Sequence, residues 1–152
     1  MDKSNERIKR IFPSYFENVK LPEEAKNENI KVYRACISQL CDKESFTPTF
    51  EERGMKYYQN EDSTDPGLYS LSTYEKPKDV KRFLKMDSKY TKPYKIAFGC
   101  THESCGLVQR TCERKTCKSS HVDWWLYEDA EPHLHFNIVD NFEEHLEMHR
   151  KR

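Results

Sequence analysis

Between Tyr94 and Val139 the chain runs through three short segments of alternating character, YKIAF, HVDWWLY and HLHFNIV. A period of two is the mark of strands with unlike faces, so this span cannot be one long helix. It also holds four of the six cysteines, four of the six histidines and both tryptophans. Tyr94, Ile96 and Phe98 share one strand face; Val122, Trp124 and Leu126 share another, with His121, Asp123, Trp125 and Tyr127 opposite them. Leu134, Phe136 and Ile138 form the same pattern over 133–139. An antiparallel hairpin of 121–127 with 133–139 is the economical pairing.

Two earlier segments extend the sheet. IKVYRACI over 30–37 is rich in β-branched and aromatic residues, and GLYSLSTYEK over 67–76 alternates again. Helices flank them. Ile8, Ile11, Phe12, Tyr15, Phe16 and Val19 recur at helical spacing over 4–20, with Pro13 breaking the run near Phe12. Pro77 pre-sets the first turn of a middle helix carrying Val80, Phe83 and Leu84. Asp140 with Glu143 predicts a capping box before a last helix, and Arg150, Lys151 and Arg152 suit its negative end. The expectation is an α+β fold: one domain over 1–152, a mainly antiparallel sheet with N-terminal, middle and C-terminal helices.

Charged residues make up 34% of the chain and hydrophobic ones 36%, so the core must be lean. The formal net charge is zero, which removes the case for non-specific nucleic-acid binding and leaves only local patches. No apolar run is long enough to cross a bilayer, and MDKSNERIKR carries no apolar h-region. The expected setting is a reducing cytoplasm, where cysteines serve as free thiols, metal ligands or redox groups. Residues 41–66 read as an irregular insertion or a lid, with Phe46, Phe50, Tyr57 and Tyr58 to anchor it.

The cysteine- and histidine-rich loop over 99–120 is the first candidate for chemistry. Cys100, Cys105, Cys112, Cys117 and His121 fall into two C-x4-C pairs followed by a histidine. Zinc takes four such ligands as two close pairs, and the alternative is a set of reduced thiols without a shared role. Arg110, Arg114, Lys115 and Lys118 lie in or beside the same loop and could meet phosphate, giving nucleic acid a small place among the partners. His133 and His135, on one face of a strand, either converge with His121 or are simply exposed. Arg34 interrupts an apolar strand and needs an anion, a carboxylate or a solvent face.

VYRA with Arg34, followed by YSLSTYE and a helix near 80–86, resembles the order of elements in the ADP-ribosyltransferase-like superfamily. The resemblance implies that Arg34 holds a nicotinamide dinucleotide (NAD), with Ser70, Ser72, Thr73 and Tyr74 lining its site. It further implies that a late glutamate, Glu128 or Glu131, polarises the ribose. Breaking the nicotinamide–ribose bond builds positive charge, which a carboxylate stabilises. The implied function is NAD-dependent ADP-ribosyl transfer to a macromolecular acceptor. The competing expectation is a non-enzymatic binding or regulatory module that contacts protein or nucleic acid through the Cys/His loop, with or without zinc.

Overall fold

The computed structural model describes residues 11–36, 38, 40–86 and 95–150. Six strands form one antiparallel sheet: β1 (Lys31–Cys36), β2 (Leu71–Tyr74), β3 (Lys95–Cys100), β4 (Gly106–Arg110), β5 (His121–Leu126) and β6 (Phe136–Ile138). Their order across the sheet is β4-β5-β2-β1-β3-β6. Among the described residues three α-helices accompany it: α1 (Thr49–Glu52), α2 (Pro77–Met86) and α3 (Phe142–Arg150). The expected α+β architecture is therefore the observed one.

The pleat separates two apolar faces. Val32, Leu71, Val108, Val122, Trp124, Leu126 and Phe136 build the main core with Ile30 and Phe46. On the other face Tyr33, Ala35 and Ile96 pack under Val80, Phe83 and Leu84 of α2 and Phe142 of α3. Register makes that second face notable. Phe98 pairs with Tyr33, Tyr33 with Tyr74, and Tyr74 with His121, so four rings cross four strands in one row. A third cluster sets Phe16, Phe50, Leu68 and Tyr69 around Trp125.

Several expectations need correction. Residues 121–126 and 136–138 do not pair: β5 lies between β4 and β2, while β6 joins β3 at the far edge. Residues 132–135 form a 3-10 turn begun by Pro132, so His133 and His135 are not strand neighbours, and Leu134 is exposed. The supposed loop over 99–120 contains the whole of β4. The last helix is capped by Asn141, whose side chain accepts from the Glu144 amide. Of the helical run over 4–20, the described part is a 3-10 helix at Ser14–Asn18, begun after Pro13. Residues 4–10, Ile37, Tyr94, Lys151 and Arg152 lie outside the described residues. The 41–66 segment is not featureless: a 3-10 helix at Lys43–Phe46 and α1 bury Phe46 and Phe50.

Candidate active site

A strand buried on both faces has no water for a charged side chain, so any charge there must find donors or acceptors within the protein. β5 carries such a charge. Asp123 is 1% exposed, and its carboxylate accepts hydrogen bonds from the Ser70 hydroxyl at 2.6 Å, the Thr111 hydroxyl at 2.8 Å and Arg114 Nη2 at 2.8 Å. The donors come from two places in the chain. Ser70 precedes β2, Thr111 opens the turn after β4, and Arg114 follows that turn. Arg114 also donates to Gln109 Oε1 at 2.8 Å, and its guanidinium lies 5.7 Å from the Trp125 ring centre.

His121 completes the cluster. Its Nδ1 is 2.6 Å from the Thr111 hydroxyl, so one hydroxyl bridges the imidazole and the carboxylate. Tyr74 meets the His121 ring edge-on at 5.3 Å, and Ser72 lies opposite Asp123 in the ladder. Ser72, Tyr74, His121 and Arg114 are half-buried and form the outer layer over the sheltered Asp123.

Burial alone would raise the Asp123 carboxyl. The His121 ring, the two hydroxyls and Arg114 outweigh it and hold the group below the usual carboxylate range. Burial pushes His121 below its ordinary value; Asp123 opposes this, while Arg114, Lys115 and Arg34 add to it. At neutral pH the pair is thus an ionised carboxylate beside a neutral imidazole.

The residues expected to bind a dinucleotide divide into two groups. Ser72 and Tyr74 share the face of this cluster. Arg34 does not: it is buried, with Nε donating to the Ser45 carbonyl at 2.8 Å and Nη1 to the Ser72 carbonyl at 2.9 Å. Its Nη2 faces Glu52 at 3.4 Å. The Thr73 hydroxyl donates to the Val122 carbonyl at 3.0 Å, and Ser70 is held by Asp123. Glu128 and Glu131 are exposed; Glu128 lines a small cavity of about 80 Å³ with Pro13, Lys43 and Phe46. The acid brought to the hydroxyl-bearing strand is Asp123, which the alternation of HVDWWLY placed on a polar face without signalling its partners.

The expected zinc ligands are also dispersed. Cys112 and Cys117 form a disulfide, Cys105 is buried, Cys100 ends β3, and His121 belongs to the Asp123 cluster. His135 stacks on His102, with ring centres 4.4 Å apart. Among the described residues no three Cys, His, Asp or Glu side chains are grouped to hold a metal ion. Two of the loop's cations are already paired: Arg110 grips Glu75 through two hydrogen bonds of 2.9 and 3.1 Å near the surface, and Arg114 grips the buried Asp123.

Compared with known proteins, the chain matches no family model, no curated protein and no solved structure. Among the described residues no helix is long and apolar enough to cross a membrane.

Proposed function

We propose that the protein acts on a nicotinamide dinucleotide as an ADP-ribosyltransferase-like enzyme, with Asp123 and His121 in the part first offered to Glu128 and Glu131. The observation that carries this reading is the 2.6 Å contact between Ser70 of the hydroxyl-bearing segment and an Asp123 held ionised. In the reaction the bond between nicotinamide nitrogen and ribose carbon breaks, and its electron pair leaves with nicotinamide. Positive charge then develops on the ribose, and a fixed carboxylate in a dry setting favours that state. The acceptor's nucleophile bonds to the same carbon and gives its proton to His121. Burial keeps this imidazole neutral, and Thr111 and Asp123 orient it. Ser72 and Tyr74 supply a hydroxyl and a ring on the face a substrate would meet. The acceptor is macromolecular; a cytoplasmic setting belongs to the same proposal, with Cys112 and Cys117 as a redox pair, the class of disulfide a reducing compartment tolerates.

The test is nicotinamide release by the purified chain, with a panel of protein and nucleic-acid acceptors. Wild type should release it. His121→Gln, which keeps a hydrogen-bonding side chain, should lower the rate about 100-fold or more, the lower range for losing a positioned base. Folding is checked by the thermal midpoint. A wild-type protein that neither binds the dinucleotide nor releases nicotinamide ends the proposal.

A further inference from the structure

On the ringed face, at the opposite end of the row from His121, lies a groove of about 580 Å³. Its walls are Tyr33, Phe98, Pro77 and Leu146, and its rim carries Lys31, Lys78 and Lys81. That size falls within the range of small-molecule sites, and the combination of apolar walls with a few charged groups is their usual chemistry. The walls follow from strand register, since Tyr33 and Phe98 are directly paired, with ring centres 4.6 Å apart. His145 of α3 holds both in place: its Nε2 is 2.7 Å from the Tyr33 hydroxyl and its ring is 4.9 Å from Phe98.

The charge of the groove is predominantly positive, three lysines against one carboxylate. Glu75 also lines it, but its carboxylate is held by the bidentate contact with Arg110. Lys81 reaches Glu143 at 3.7 Å, a contact between exposed groups that competes weakly with a ligand. Lys31 and Lys78 are exposed at the rim. Three ammonium groups over an apolar slot favour a ligand with a flat apolar body and a compact anionic end. We propose that this groove binds a nucleoside phosphate. Its ring lies against Phe98 and Leu146, and its phosphates meet Lys31, Lys78 and Lys81.

This site is separate from the Asp123 cluster and does not depend on transferase chemistry. The experiment is calorimetric titration of the full chain with ADP, adenosine, pyrophosphate and a short single-stranded oligonucleotide. ADP should bind more tightly than adenosine or pyrophosphate alone, because it meets both the walls and the rim. The double variant Lys31→Ala/Lys78→Ala alters only exposed side chains and should weaken ADP at least about tenfold, the scale of one lost charge-assisted contact. His121→Gln should bind ADP as wild type does, so loss of nicotinamide release with retained ADP binding separates the two proposals. Absence of ADP binding overturns the inference. So does pyrophosphate binding as tightly as ADP, or a double variant with unchanged affinity. An oligonucleotide bound more tightly than ADP through the same lysines would replace the free nucleotide with a nucleic-acid strand as the occupant.

Discussion

Replacing Asp123 with asparagine tests whether the buried cluster is held as the geometry describes. The substitution keeps the shape and removes the charge. Three donors at 2.6–2.8 Å then face a side chain with one acceptor oxygen and an amide that itself donates. Arg114 suffers most, because its side chain is only 18% exposed and its guanidinium loses its carboxylate partner. Breaking one side of a sheltered ion pair costs about 3–5 kcal/mol. A domain of this size has only about 5–15 kcal/mol in total. With a urea slope near 2 kcal/mol/M, the unfolding midpoint should fall by about 1.5–2.5 M at unchanged slope. Adding Arg114→Gln should recover part of the loss, since the orphaned cation is then gone. A fall of less than about 0.5 M for Asp123→Asn would refute the claim that Asp123 is an ionised keystone.

Two further outcomes follow from the same coordinates. His121 is held below its ordinary value of 6.5 by burial, and His135 is lowered by burial and by His102, so the folded protein resists protonating either ring. Their contribution is complete above about pH 6.5 and is lost as pH falls below it; Asp79 and Asp123, lowered from 3.8, add a second loss below that pH. Thermal midpoints should therefore drop from pH 7 to 5 and again toward pH 3, and a rise between pH 7 and 5 contradicts the assignment. Gly106→Ala would place a Cβ 1.8 Å from the Trp125 carbonyl oxygen, where β4 meets β5, and should cost about 3 kcal/mol or more. Gly54→Ala meets nothing within 4 Å and should cost only about 1 kcal/mol for its positive φ. Equal urea midpoints for the two variants would count against the β4–β5 register.

The elements most legible in the sequence are those whose periodicity is decided by their own residues. The strand expected over 30–37 for its β-branched and aromatic residues spans Lys31–Cys36, and that expected over 121–127 spans His121–Leu126; of 67–76 only Leu71–Tyr74 is strand, because Pro66–Tyr69 turns as a 3-10 helix, and Pro77 does open a helix. What failed was of two kinds. GLVQR is a strand with cysteines on both sides of it, and the metal reading absorbed it. The hairpin of 121–127 with 133–139 rests only on nearness in sequence, whereas β5 bonds to β2, some fifty residues earlier, and to β4. Phe136 fits a strand; Leu134 mimicked the pattern while standing on an exposed turn. Asp123 carried one readable hint, a carboxylate amid Val122, Trp124 and Trp125. Its partners, though, are set by sheet order and not by spacing.

The two buried charges of the sheet, Asp123 and the Arg34 expected to grip the dinucleotide, are held by different kinds of partner. Arg34 ends chiefly on the carbonyls of Ser45 and Ser72, which are backbone groups, with Glu52 at 3.4 Å. Turning it toward a diphosphate would leave those carbonyls without these donors, and a carbonyl left bare in the interior costs about 1–3 kcal/mol. Asp123 ends on two hydroxyls and a guanidinium, all side-chain groups that can rotate with little disturbance of the sheet. The Thr111 hydroxyl stands between acid and imidazole, donating to Asp123 while it accepts from the His121 Nδ1–H. A cluster held by rotatable donors can accommodate developing charge; an arginine anchored to backbone holds its strands in place instead. The resemblance at VYRA thus names a residue of the right type whose donors are already engaged in the fold.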